Sequence, residues 1–246
     1  MRIGKVEQSL RSRVESGEKL VLLLVDPEKP VDAGRIRKLL DEGADAVLVG
    51  GTLNVTPYDV DQTIQKLRDE GIDRPIIIFP GGVNNIGRLA DAILFMVLMN
   101  SLDPYWLTGA QISAAFIIKR FKLEAIPTAY IVLGPGAAAG HVGKALPVPM
   151  EIPYIAAAYA TAAELMGMRL VYLEAGSGSP QTVPKRIVEV VRKSIEYPLL
   201  VVGGGIRRED QAKEITKSGA DAIVLGTIIE RDEERAASIV RAIKRG

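Results

Sequence analysis

The chain has 246 residues, with 31 Lys and Arg against 30 Asp and Glu, one His and no Cys. Its 48% hydrophobic and 25% charged residues exclude global disorder, and a net charge of +1 gives no bulk attraction for nucleic acid, so none is expected as a partner. The missing cysteines exclude disulfides, thiolate nucleophiles, iron–sulfur clusters and thiolate zinc sites, and one His excludes a two-His metal site.

The amino-terminal stretch MRIGKVEQSLRSRVESGEKL is charged and polar, unlike the apolar core of a signal peptide. The longest apolar run, 92–99 (AILFMVLM), is far shorter than the ~18 residues that suggest a spanning helix. A cytoplasmic protein without a transmembrane segment is expected, meeting lipid only through a groove or an interfacial surface. In chain order the predicted elements are a strand at 20–25 (LVLLLV), a helix at 32–42, a strand at 46–49 (AVLV), a helix at 58–70 and a strand at 76–79 (IIIF). The following segment, 80–91 (PGGVNNIGRLAD), holds a brief helical turn at best. Strands at 93–98 (ILFMVL) and 128–133 (TAYIVL) come next, then a Gly/Ala/Pro-rich stretch, 134–153, that reads as a long mobile loop, functional or merely variable. A strand at 170–173 (LVYL), a helix at 180–193, a strand at 199–202 (LLVV), a helix at 209–218, a strand at 222–225 (AIVL) and a helix at 232–244 complete the series. Few of the strands alternate with polar residues, as expected of strands covered on both faces. Eight such strands in this length predict an α/β fold, a single (β/α)8 TIM barrel over residues 1–246 with a reduced helix layer after strand three; a doubly wound open sheet is the competing layout. The near-repeat of GADAVLVGGT (43–52) and GADAIVLGTI (219–228) suits a ring of similar units.

The strand ends carry the chemistry. Strand six runs into Tyr172, Leu173, Glu174, Ala175, Gly176, Ser177 and Gly178, strand seven into Gly203, Gly204 and Gly205, and strand eight into Gly226 and Thr227. Glycine turns leading into helix N-termini make anion sites, and barrels often bind phosphate after strands seven and eight, so a bound phosphate is predicted; tight turns with no ligand are the plain alternative. Neither GxGxxG nor a Walker A loop is present. Asp26 after strand one and Thr52 after strand two suit Mg2+, which takes few protein ligands and bridges to phosphate; Asp26 also reads as a turn or cap carboxylate. Glu174, sharing side-chain parity with Tyr172, is a candidate to accept a proton from a substrate hydroxyl, or a structural ion-pair partner. His141 is expected to face solvent, and Trp106 flanks the thin side of the barrel or simply packs.

Together VDPEK (25–29), GGT (50–52), FPGG (79–82), MNSLDPYW (99–106), YLEAGSG (172–178), GGGIR (203–207) and GT (226–227) resemble the geranylgeranylglyceryl phosphate synthase family, with its bacterial heptaprenyl relatives, over nearly the whole chain. The resemblance implies a Mg2+-dependent prenyltransferase of archaeal ether-lipid biosynthesis, joining geranylgeranyl diphosphate to the 3-hydroxyl of sn-glycerol 1-phosphate. Asp26 and Thr52 would bind Mg2+. Residues Tyr172 through Gly178, with Gly203, Gly204, Gly226 and Thr227, would bind glycerol phosphate, and Glu174 would orient and deprotonate its hydroxyl. The apolar chain would lie in a groove at Phe79, Phe95, Tyr105 and Trp106. The glycine added in EAGSG resembles the branch that forms assemblies larger than dimers, so a homo-oligomer, dimer or hexamer, is expected. Leu24 stands where bacterial relatives have Lys, and Thr227 where many relatives have Asn. The alternatives are a prenylglyceryl phosphate synthase of another chain length, another phosphate-binding barrel enzyme (an isomerase or lyase), and a carrier that binds without turnover.

Overall fold

The computed structural model describes residues 3–51, 53–134 and 136–245. Eight parallel strands close into a barrel in sequence order: β1 (Leu20–Val25), β2 (Ala46–Val49), β3 (Ile76–Ile78), β4 (Ala92–Leu98), β5 (Glu124–Val132), β6 (Leu170–Glu174), β7 (Leu199–Gly203) and β8 (Ala222–Leu225). The ring shuts where β1 meets β8, with Leu20 opposite Ala222 and Leu23 opposite Leu225. The open-sheet alternative is thereby excluded.

Ten helices accompany the strands among the described residues. They are α1 (Lys5–Glu15), α2 (Ala33–Asp41), α3 (Pro57–Asp69), α4 (Ala110–Phe121), α5 (Ala137–Val142), α6 (Pro153–Leu165), α7 (Lys185–Ser194), α8 (Glu209–Lys217), α9 (Thr227–Arg231) and α10 (Glu233–Lys244). Their starts are written in the sequence. Asp32 Oδ1 accepts from the Arg35 N–H at 3.0 Å ahead of α2. Thr56 and Asp59 form a reciprocal capping box, with Pro57 opening α3, an arrangement that satisfies otherwise unpaired N–H groups. α7 buries Ile187, Val188 and Val191 on one stripe and leaves Lys185, Arg186 and Lys193 exposed.

Two apolar layers follow from strand alternation. Leu22, Leu48, Leu94, Tyr130, Tyr172 and Val201 fill the barrel interior. Leu23, Val49, Ile131, Leu173, Val202 and Ile223 pack outward against the helices. α1 lies at the amino-terminal end of the strands, where Val6 and Leu10 join the interior layer.

The helix layer is missing between β3 and β4, as the Gly/Asn-rich segment predicts. Only a short 3₁₀ turn, Val83–Asn85, stands there. β3 is matched with β4 only at Ala92 and Ile93, so the rest of that edge of β4 has no strand beside it. The stretch after β5 differs from the mobile loop expected. It contains α5 and is tied to the barrel by backbone bonds, from Gly134 N–H to Val148 O at 3.0 Å and from Leu146 N–H to Asn100 O at 2.7 Å. The buried Asn100 amide adds hydrogen bonds to the carbonyls of Val132 (2.9 Å) and Leu146 (2.8 Å). His141 is exposed on α5, as expected.

Candidate active site

All the strand ends singled out from the sequence meet at one rim, the carboxyl end of the barrel, where barrel enzymes place their catalytic groups. Glu174 is the last residue of β6 and is buried, 7% exposed. Its Oε1 accepts from the Gly176 N–H at 2.5 Å, and the hydroxyls of Tyr130 and Tyr172 lie within hydrogen-bonding reach of the carboxylate. No cation among the described residues neutralises it: burial pushes its pKa above the ordinary carboxylate value, and those three donors only partly offset that. Burial, and then the Glu174 charge, hold both tyrosines well above their usual range, so they stay protonated donors. The structural ion-pair reading of Glu174 is not supported, since no salt bridge to it is found among the described residues.

Tyr130 is a functional candidate that the sequence reading missed. Its signal was register: Tyr130 lies opposite Tyr172 on the neighbouring strand, so both point inward once the barrel closes. The two rings sit 5.2 Å apart and both pack on Phe79, at 5.7 and 5.4 Å, making an aromatic floor under the carboxylate.

A small pocket opens beside Glu174. Ser177 and Gly178 from the β6 end, Gly204, Gly205, Ile206 and Arg207 after β7, and Gly226 and Thr227 after β8 line it, with Leu24 and Tyr172. Arg207 donates to the carbonyls of Gly178 and Ser179, both at 2.7 Å, clasping the β6 turn. Glycine is required at 204: its φ is +87°, and a Cβ would come within 2.6 Å of Glu174 Oε1. Four predicted binding residues line neither pocket. Leu173 and Ala175 pack outward into the layer under the helices, because strand alternation sends every second side chain away from the mouth. Gly176 instead holds the Glu174 carboxylate through its N–H. Gly203 is a close-packing position, where a Cβ would meet the Tyr172 hydroxyl at 2.0 Å.

A second, larger cavity, about 1350 Å³ including its open mouth, starts at the same wall and runs across the thin side of the barrel. Leu24, Glu174, Ser177, Gly226 and Thr227 border both spaces. Its walls are predominantly apolar, including Phe79, Ile86, Phe95, Met96, Trp106, Ala114 and Ile118. The missing helix after β3 leaves this space, so both faces of β4 contribute. Of the predicted groove residues, Phe79, Phe95 and Trp106 line it, whereas Tyr105 does not. Tyr105 is 41% exposed and packs edge-on against Trp106, ring centroids 5.0 Å apart.

Asp26 stands at the mouth of the larger cavity. One carboxylate oxygen accepts from the Glu28 N–H at 3.1 Å and the other is 3.8 Å from Lys29 Nζ; Lys29 is itself held by Glu230 at 2.8 Å. The Gly51 backbone lies so close that a Cβ there would be 2.6 Å from Asp26 Oδ1. Thr52, the other predicted metal ligand, lies outside the described residues. Among the described residues no group of three His, Cys, Asp or Glu forms a complete metal cage. A single accessible carboxylate nonetheless fits Mg2+, which commonly takes one or two protein carboxylates and completes its shell with water and substrate phosphate.

Residues 13–245 match the model of the PcrB family. The chain is 60% identical over 236 residues to the geranylgeranylglyceryl phosphate synthase of Hyperthermus butylicus, covering 96% of this chain and 98% of that protein. It is 47% identical to the geranylgeranylglyceryl phosphate synthase of Pyrococcus abyssi, covering 100% and 99%. The fold superposes, with a TM-score of 0.92 and 38% identity over the whole of both chains, on the crystal structure of (S)-3-O-geranylgeranylglyceryl phosphate synthase from Thermoplasma acidophilum in complex with substrate sn-glycerol-1-phosphate.

Proposed function

On the premise that this chain belongs to the PcrB family, we propose that it is a prenyltransferase joining geranylgeranyl diphosphate to the 3-hydroxyl of sn-glycerol 1-phosphate. The observation that carries this reading is the shared wall: a small glycine-rimmed pocket and a long apolar cavity meet at a buried carboxylate. That is the layout required by a reaction joining a small anion to a long hydrocarbon.

In this reading the acceptor phosphate sits at the turns after β7 and β8, by Gly204, Gly226 and Thr227, where backbone N–H groups and the start of α9 favour negative charge. The prenyl chain lies along Phe79, Phe95 and Trp106, driven in by about 0.8 kcal/mol per buried CH2. Glu174 accepts the hydroxyl proton as the oxygen bonds to C1 of the chain and the C1–diphosphate bond breaks, releasing diphosphate. Tyr130 and Tyr172 hold the carboxylate in place, and the two pockets align the reacting atoms before the step. Asp26, with Thr52, would hold Mg2+, which when bound neutralises charge on the diphosphate.

The cavity is apolar where an isomerase or lyase would need further polar groups, which favours prenyl transfer. No helix among the described residues is long and apolar enough to cross a membrane, and the cysteine-free composition suits the reducing cytoplasm. We also infer a homo-oligomer, since Ile112 and Phe116 on α4 and Leu165 at the end of α6 are large apolar side chains facing solvent; light scattering measures it.

The reading is tested with labelled geranylgeranyl diphosphate and sn-glycerol 1-phosphate. Stoichiometric ether product and diphosphate are expected. Saturable binding of both substrates without diphosphate release would make the protein a carrier instead. A competition among farnesyl, geranylgeranyl and heptaprenyl diphosphates fixes the chain length.

A further inference from the structure

Just after β4 the chain makes a π-helical turn, Tyr105–Gly109, in which the Ala110 N–H reaches back five residues to Tyr105 O. Such wide turns cluster at functional sites, and this one carries Trp106 into the wall of the apolar cavity. One side chain fastens it. Gln111 Nε2 donates to Met96 O at 2.5 Å and to Trp106 O at 3.1 Å. Both partners are carbonyls, which only accept, so the amide orientation is fixed. Gln111 Oε1 is therefore left buried with no partner, the sole such side-chain atom among the described residues. A buried amide oxygen without a donor is unfavourable. An apolar side chain of similar length would avoid that cost, so what this glutamine contributes is its two N–H groups. The Met96 carbonyl lies on the stretch of β4 beyond its short register with β3, which ends at Ile93.

We propose that Gln111 is a positioning residue, a staple between β4 and the π-helical turn that fixes Trp106 against the cavity and so sets how long a prenyl chain fits. The chain-length part rests on the prenyl-transfer reading above; the staple itself does not. The geometry explains why one glutamine reaches both places. The turn widens the helix by one residue, which brings the Gln111 side chain under the Trp106 carbonyl while α4 continues past it along the cavity through Ala114 and Ile118.

Trp106 is the only tryptophan in the chain, so intrinsic fluorescence reads its position directly. The test compares the wild type with Gln111→Met and Gln111→Asn, the second being polar but too short to span both carbonyls. Both variants are expected to melt cooperatively, with red-shifted emission and about twofold stronger acrylamide quenching, a sign of a loosened ring. The kcat/KM ratio of a twenty-five-carbon donor to the twenty-carbon donor is expected to rise about tenfold, with KM for sn-glycerol 1-phosphate unchanged. A folded variant with wild-type emission and quenching overturns the staple. Loosened fluorescence with an unchanged donor ratio overturns the chain-length role. In the wild type, geranylgeranyl diphosphate added with Mg2+ but without glycerol phosphate is expected to reduce quenching; donor binding, measured separately, with no change in quenching overturns the placement of Trp106 even if both variants fail to fold. Absence of turnover in the wild type rejects prenyl transfer alone, because the quenching comparison of the variants still reads the staple.

Discussion

Burial of Glu174 costs the fold and, in the proposed reaction, would make it a better base. Its pKa is raised in the native state, chiefly by burial, above the ordinary value of about 4.3. Below the unfolded-state pKa both states are protonated and nothing is lost; as pH rises through the native pKa, the folded protein bears an unpaired buried charge and loses stability. Glu174→Gln keeps the acceptor for the Gly176 N–H but removes that charge. It should therefore raise Tm, more at about pH 8 than at about pH 4, while lowering kcat by about 10²–10⁴ as expected for loss of a general base. A variant of near-normal turnover would remove Glu174 from the chemistry. In the wild type the acid limb of kcat/KM should lie at higher pH than for an ordinary carboxylate. Asp26 has a different task and a different test. It is accessible at the cavity mouth, and one carboxylate can hold Mg2+ only with phosphate and water completing the shell. If Asp26 holds Mg2+ as proposed, chelation by EDTA should abolish turnover and added Mg2+ restore it, with Tm nearly unchanged because a one-carboxylate site would form only with substrate; full activity in chelator would exclude the metal.

At the scale of elements, the strands were legible and several helices were not. LVLLLV and AVLV lie between two apolar layers, so their whole length reads as strand. β5 begins at Glu124, four residues before the expected start at 128. Pro127 reads as a breaker, yet it lies ahead of the β5–β6 register, which starts at Thr128 opposite Leu170, so no ladder bond to β6 is lost there. α6 (PYIAAAYATAAEL) shows little contrast between its faces in sequence, although it buries an alanine stripe at Ala156, Ala160 and Ala163. The glycine turns after β7 and β8 could be read because their position in a barrel assigns them a role. Tyr130 and Gln111 could not, since their meaning depends on register and on one helical irregularity. Nor could the tethering of 134–150, for it depends on Asn100, a lone polar residue in sequence that is buried in the fold. Asn100 Oδ1 also accepts from the Val132 N–H at 3.1 Å. Asn100→Ala would orphan that N–H and loosen α5, whose Ala138, Ala139 and Val142 line the cavity. The expected cost is about 1–3 kcal/mol, with a raised KM for the prenyl donor and faster proteolysis within 134–150. An unchanged donor KM in a destabilised variant would confine Asn100 to structure.

Over the whole molecule, the barrel divides its two ends between stability and chemistry. The carboxyl end tolerates an uncompensated carboxylate at Glu174 and accessible apolar walls. The amino-terminal end is sealed by α1, and the buried charges there are paired. Glu7, 1% exposed, binds Arg11 at 2.9 Å and Arg169 at 2.8 Å, with both guanidiniums nearly buried. Arg11 also donates to the carbonyls of Arg169 (2.7 Å) and Tyr197 (3.0 Å), and Glu124 accepts from the Val6 and Glu7 N–H groups at 2.8 Å. The network ties α1 to β5, β6 and the loop before β7 in a single bolt. Replacing such a network wholesale by apolar groups can be neutral, but removing one charged member is costly. Glu7→Gln removes the carboxylate that both Arg11 and Arg169 bind. It should cost about 3–5 kcal/mol, a fall in Tm on the order of 10 °C for a chain of this size. Because Glu7 sits at the end of the strands remote from the mouth, kcat and both KM values measured well below the new Tm should stay within about twofold of wild type. A large loss of turnover in folded Glu7→Gln would mean that the two ends are coupled through the barrel interior, by way of the inward side chains between α1 and the Phe79–Tyr130–Tyr172 floor. Taken with Glu174→Gln, which should stabilise while inactivating, it makes a reciprocal pair that a single overall loosening of the barrel cannot mimic.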